Sequence, residues 1–174
     1  MVTLKEIFSE QEIRERTTAL GKEISEVYKD EPLVIICVLK GAFLFFSDLV
    51  RNIKKDSQLE LDFVRLASYG SSDKSSRTIS FTKDIEVNVE GKNVLIVEDI
   101  VDTGLTMEFL LKQLSVRKAK SVKIAALLSK KARREKSIAI DFVGFYIQDG
   151  FLVGYGLDYA EKYRNLPCIC EAQL

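Results

Sequence analysis

Residues 94–106 read Val94-Leu95-Ile96-Val97-Glu98-Asp99-Ile100-Val101-Asp102-Thr103-Gly104-Leu105-Thr106. The first four are apolar and mostly β-branched, which suits a strand buried on both faces. Glu98 and Asp99 stand where that strand emerges, and a third carboxylate, Asp102, lies in the loop behind it. Thr103-Gly104-Leu105-Thr106 then opens a helix predicted over 105–117. A strand that hands over to a helix through a short loop is the repeating unit of a parallel sheet, so this stretch sets the fold class.

Outward from this unit the alternation repeats. Ser9 and Glu12 have the spacing of a capping box, and Ile13, Leu20, Ile24 and Val27 recur at helical spacing, so a helix is predicted to open the chain. Residues 33–38 form a short apolar strand. The turn Leu39-Lys40-Gly41-Ala42 leads into a helix over 43–50 whose first turn is apolar all round. Such a turn needs cover on more than one side, and a subunit interface is expected there. Residues 59–67 and 79–87 read as strands, and Glu90-Gly91-Lys92 as a turn. Between those two strands runs the small, polar stretch Ser68-Tyr69-Gly70-Ser71-Ser72-Asp73-Lys74-Ser75-Ser76-Arg77-Thr78. Beyond the central unit, 122–128 is a strand, and shorter strands are predicted near 141–145, 152–154 and 168–170. The class is α/β, a mostly parallel twisted sheet flanked by helices. No repeat, low-complexity tract or domain boundary interrupts residues 1–174, which read as a single domain.

Composition removes several chemistries. Acidic and basic residues number 26 each, so no global field draws nucleic acid or an anionic membrane, and any phosphate must be bound locally. The chain has no His. That excludes a Ser-His-Asp triad, a Cys-His pair and a His-ligated zinc, and leaves acid–base work to carboxylates, Lys, Tyr or Cys. Three cysteines and no secretory leader at Met1-Val2-Thr3-Leu4-Lys5-Glu6 lead us to expect a reducing, cytoplasmic location. Cys37 sits in an apolar run and reads as core. Cys168 and Cys170 would share a strand face, which is too few ligands for a zinc site.

In open sheets of this class, ligands bind beyond the carboxyl ends of the strands. There, a helix start offers unpaired N–H groups and a positive dipole end to a phosphate. The hydroxyls of Thr103 and Thr106 add donors, and Gly104 admits close backbone approach. Glu98 and Asp99 suit a vicinal diol or a nearby Mg²⁺. A phosphate beside a diol describes a ribose 5-phosphate. The plainer reading, a capped helix with acids that favour its dipole, explains fewer of these residues. No G-x-x-x-x-G-K-[ST] loop is present.

Residues 94–107 resemble the phosphoribosyl-pyrophosphate signature of the type I phosphoribosyltransferases, and Glu98-Asp99-Ile100-Val101-Asp102-Thr103-Gly104 resembles the form in its hypoxanthine-guanine branch. The resemblance extends to Leu39-Lys40-Gly41-Ala42, to Ser68-Tyr69-Gly70, and to Phe151-Leu152-Val153-Gly154-Tyr155-Gly156-Leu157-Asp158-Tyr159 with Arg164. These motifs run in family order from about residue 33 onward. The fold so implied has a small hood built by the N- and C-terminal segments and a flexible loop.

The resemblance also implies roles. Asp102, Thr103, Gly104, Leu105 and Thr106 would hold the 5-phosphate, while Glu98 and Asp99 address the ribose hydroxyls. Asp102 would stand beside the purine N7, either as general base or only as an orienting acceptor. Lys40 and Gly41 would lie in a turn with a non-proline cis peptide that offers N–H groups to pyrophosphate, and Arg164 would meet that group too. Lys130 would donate to the O6 of a 6-oxopurine and meet the amino group of adenine donor to donor. Its neighbours Lys131, Arg133, Arg134 and Lys136 read as a solvated loop. Phe151 would stack on the base, Leu152 would read its edge through the backbone, and Asp158, near the base, would join Glu98 and Asp99 as Mg²⁺ ligands. Ser68 and Tyr69 would belong to a lid that keeps water from the reacting carbon.

The implied reaction is transfer of 5-phosphoribosyl from phosphoribosyl pyrophosphate to hypoxanthine or guanine, in a homodimer or homotetramer, with no nucleic acid or membrane partner. Three other readings stay open on sequence: an RNA-binding regulator of the same fold, a phosphoribosyltransferase for another base such as xanthine, and, more remotely, a D-x-D-x-T phosphatase.

Overall fold

The computed structural model describes residues 2–29, 31–54, 59–69, 78–130, 132 and 134–173. The chain opens with a strand that its local pattern does not announce, β1 (Thr3–Phe8). The helix α1 (Glu10–Val27) follows, and its capping box forms as the sequence predicts. The Glu12 N–H donates to Ser9 Oγ at 3.3 Å, and the Ser9 N–H donates to the Glu12 carboxylate at 2.8 Å. Ile13, Leu20 and Ile24 are buried, whereas Val27, the last helical residue, is half exposed.

The rest of the chain follows in order: β2 (Leu33–Leu39), α2 (Phe43–Asn52), β3 (Leu59–Tyr69), β4 (Thr78–Lys83), β5 (Asn93–Val101), α3 (Leu105–Val116), β6 (Ser121–Lys130), β7 (Phe142–Ile147), β8 (Leu152–Val153) and β9 (Ile169–Gln173). Six strands make the central sheet in the order β4-β3-β2-β5-β6-β7. All its pairs are parallel except β3–β4. The class read from the sequence is the one observed.

Alternate residues of the central strands feed two cores. Leu33, Ile35 and Cys37 of β2 join Leu95 and Val97 of β5 on the face covered by α1 and α2. Val34, Ile36 and Val38 join Val94 and Ile96 on the other face, under Met107, Leu110 and Leu114 of α3. Burial on both faces is why these strands read as continuous apolar runs. α2 turns Phe45, Phe46 and Leu49 into the first core and leaves Phe43 40% exposed, so its apolar first turn is covered within the chain on most sides.

Beyond shifts of a few residues at strand ends, one boundary and one strand differ from expectation, each with a physical cause. β4 ends at Lys83 rather than near residue 87. The amides of Glu86 and Val87 donate to the Asp62 carboxylate, at 2.7 and 3.0 Å, instead of to a neighbouring strand. β1 escapes notice because its partner is remote. It pairs with β9, Thr3 opposite Gln173, and β9 pairs with β8, giving a three-stranded antiparallel sheet built from both ends of the chain. Among the described residues, no helix is long and apolar enough to cross a membrane.

Candidate active site

From β2 the chain crosses to β3 on one side and later returns to β5 on the other, so β2 and β5 flank the point where the strand order reverses. At their carboxyl ends the two loops touch. The peptide between Leu39 and Lys40 is cis, and a Cβ on Gly41 would overlap the Asp99 carboxylate. Gly156 closes the other side: its φ is +100°, and a Cβ there would overlap the Gly41 carbonyl. Two glycines thus let three backbone segments converge where a side chain has no room.

Behind β5, Gly104 (φ +86°) is the N-cap of α3 and carries no side chain to satisfy the amides of the first turn. A helix start capped by no side chain of its N-cap residue suits an anion, with the Leu105 amide shared with the Thr103 hydroxyl. Thr103 Oγ1 accepts from the Leu105 N–H at 3.4 Å. The Thr103 carbonyl accepts from the amides of Glu135 and Lys136, both at 3.0 Å, and a Cβ on Gly104 would stand 3.2 Å from Lys136 and Ile138. The segment after β6 therefore braces the loop of residues 102–106.

Arg134 belongs to that brace. Read from the sequence as part of a solvated basic loop, it is partly buried instead. Its guanidinium donates to the carbonyls of Val101 (3.1 Å) and Lys130 (3.3 Å) and to Ser129 Oγ (3.2 Å). It joins the two loops that carry Asp102 and Lys130. Partners that are mostly main-chain carbonyls leave no sequence pattern, so only the structure reveals this role.

A cavity of about 310 Å³ opens at this edge. It is lined by Asp99, Asp102, Lys130, Phe151, Leu152 and Asp158, together with Ile100, Gly150 and Leu157. Six residues singled out from the sequence thus face one space. Lys130 is 6% exposed, its ammonium held by the Asp149 carboxylate (2.7 Å) and the Gly150 carbonyl (3.1 Å). Phe151 is 43% exposed and meets Tyr159 edge to face, with ring centroids 5.5 Å apart. Leu152 lies opposite Glu171 in β8–β9, and the Phe151 carbonyl accepts from the Ala172 N–H at 2.8 Å.

The remaining candidates are not among the residues that line this cavity. Arg164 donates to Asp158 (2.7 Å) and to the Gly156 carbonyl (2.7 Å). Glu98 is buried beside Asp99. Burial first, and then the Asp99 charge, pushes the Glu98 carboxyl well above the usual carboxylate range. Burial also raises Asp99, although a hydrogen bond from Glu98 favours its charged form. Ser68 and Tyr69 are strand residues opposite Ile79 and Thr78, and β3 carries them past the end of β2. The rest of the expected lid up to Arg77 lies outside the described residues.

The Phosphoribosyl transferase domain family matches residues 3–160. The chain belongs to that family. It is 48% identical over 165 residues to a hypoxanthine-guanine phosphoribosyltransferase of Bacillus subtilis, covering 95% of this chain and 91% of that protein. It is 46% identical to the bifunctional TilS/HprT protein of Listeria innocua, of which it spans 25%. The crystal structure of a hypoxanthine-guanine phosphoribosyltransferase from Bacillus anthracis, with a HEPES molecule in the active site, superposes with a TM-score of 0.91 at 40% identity over the whole of both chains. The fold of this phosphoribosyltransferase is therefore the type I arrangement its sequence resembles.

Proposed function

We propose that this chain is a purine-salvage enzyme that transfers 5-phosphoribosyl from phosphoribosyl pyrophosphate to hypoxanthine or guanine, releasing pyrophosphate. The observation that carries the reading is that Asp102, Lys130, Phe151 and Asp158 meet in one cavity, next in sequence to the helix start at Gly104. In this reading the 5-phosphate rests on the amides and hydroxyls of residues 102–106. Glu98 and Asp99 take the ribose hydroxyls. The purine lies against Phe151, its O6 receives a hydrogen bond from Lys130, and the Leu152 backbone contacts its edge. The three-stranded sheet formed by the chain ends, which carries Leu152, acts as the hood of one phosphoribosyltransferase domain.

The chemistry follows from charge. The base attacks C1 of the ribose as the bond to pyrophosphate breaks, and the ribose centre becomes cationic in passing. Asp102 accepts the proton of N7 as the purine becomes the nucleophile. Lys40, Gly41 and Arg164 offset the anionic leaving group. The donor set fits Mg²⁺, which binds through one or two carboxylates together with substrate phosphates. No cluster of three metal-ligating side chains stands among the described residues, and the raised Glu98–Asp99 pair is what a dication would relieve. One Mg²⁺ held by the Glu98–Asp99 pair and a second held by Asp158 would neutralise the departing pyrophosphate.

Lys130 supports the choice of base. An ammonium has donors only, so it matches a 6-oxo group and opposes the 6-amino group of adenine. Incubation of the protein with Mg²⁺, phosphoribosyl pyrophosphate and each purine, followed by absorbance, tests the reading. Hypoxanthine and guanine are expected to convert and adenine to remain; no conversion of any 6-oxopurine would refute it.

A further inference from the structure

Tyr159 and Lys162 exchange backbone hydrogen bonds of 3.1 and 3.0 Å around a two-residue turn. Its central residues, Ala160 and Glu161, have φ of +50° and +64°. A turn with positive φ at both central positions favours Asn and Gly, and a side chain there is strained. Strain of this kind persists where surrounding contacts enforce it, and it points to use of the residue so held. Here the Glu161 N–H donates to Asp158 (2.8 Å), and the turn aims the Glu161 carboxylate at two cations. One oxygen lies 2.6 Å from Lys40 Nζ, across 121 positions of sequence; the other lies 3.4 Å from Arg164 Nη2. Glu161 holds Lys40 more closely than it does Arg164. Its side chain is 64% exposed, so solvent and ligands reach it.

We propose that Glu161 is an internal stand-in for pyrophosphate, whose carboxylate pairs with Lys40 and, more loosely beside Asp158, with Arg164, and competes with the pyrophosphate group for them. The proposal rests on the assignment of Lys40 and Arg164 to pyrophosphate made above. Substrate entry must free the two cations, and the returning carboxylate helps product leave. Glu161 is thus a positioning residue that acts through the cations. Its removal should tighten binding, the opposite of what loss of a structural support would do.

Glu161→Gln keeps shape and turn while removing the charge. Calorimetric titration of pyrophosphate with Mg²⁺ into both proteins is the direct test. The variant should bind pyrophosphate about fivefold more tightly, the scale of one exposed ion pair. Its KM for phosphoribosyl pyrophosphate should fall in parallel, with the KM for the base unchanged. In a Lys40→Ala background the same substitution should tighten binding less. Unchanged or weaker pyrophosphate binding by Glu161→Gln would overturn the proposal. If the wild type transfers no phosphoribosyl group, the functional reading fails by itself. If it transfers normally while the two proteins bind pyrophosphate alike, only the role of Glu161 fails.

Discussion

Asp102 has the demanding task in the proposed reaction, because a carboxylate in water is a weak base. In the cavity it shares a wall with Lys130 and Phe151, so its reach to the purine is set by two loops that Arg134 ties together. Asp102→Asn keeps the shape and removes the basic oxygen. It should lower kcat about a hundredfold or more, the usual contribution of a general base, with little change in binding of phosphoribosyl pyrophosphate. Steady-state kinetics with both substrates varied would show this, and an unchanged kcat would leave Asp102 as an orienting acceptor. At this scale the acids and threonines of residues 98–106 were legible as a local motif, whereas Lys130 and Phe151 were named only by the family resemblance. The roles of Arg134 and Glu161 were given by neither, because carbonyl partners and a contact across 121 positions have no local signature.

At the scale of elements, β3 and its surroundings do two jobs. Asp62 on β3 accepts from the amides of Phe63, Glu86 and Val87 and from Lys83, and so fixes the segment that follows β4. Burial alone would raise this carboxyl, but those amides and the Lys83 ammonium outweigh it and hold it below its usual range. A group lowered on folding stabilises the native state above its unfolded pKa, and that stability is lost as pH falls through the folded value. Asp62→Asn should therefore cost about 1–3 kcal/mol at neutral pH. The gap from wild type should close as the pH drops below about 4, near the ordinary aspartate value. Urea unfolding across that range measures it.

The far end of β3 carries Ser68 and Tyr69 past the end of β2. If Tyr69 shields the reacting carbon, Tyr69→Ala should raise the release of pyrophosphate from phosphoribosyl pyrophosphate in the absence of base, read as pyrophosphate formed without nucleotide.

For the whole molecule, the site as proposed draws on two frames, the central sheet and the small sheet of the chain ends. The phosphate side belongs to the central sheet, whose β2 and β5 are buried on both faces. The proposed purine side is shared: Lys130 ends β6 of the central sheet, whereas Leu152 lies in the small sheet, where β8 depends on β9 and β9 on β1. Removal of residues 1–8 deletes β1 and leaves an edge of β9 unpaired. The KM for hypoxanthine should rise about tenfold or more, while phosphoribosyl pyrophosphate still binds, on the scale of small displacements at a reacting site. Separate titrations of the two ligands would show the difference, and equal loss of both would mean the sheets act as one support.

By itself the sequence determined the α/β class, the buried central strands, the capped first helix and the acidic loop that starts α3. Each is written in neighbouring residues, as period, cap or motif, and needs no distant partner to be read. The tertiary structure alone decided that β1 meets β9, that β4 stops at Lys83, that Arg134 is internal and that Glu161 answers Lys40. These depend on which groups satisfy which amides, carbonyls and charges across the fold, and that pairing exists only once the chain ends and the sheet edge have come together.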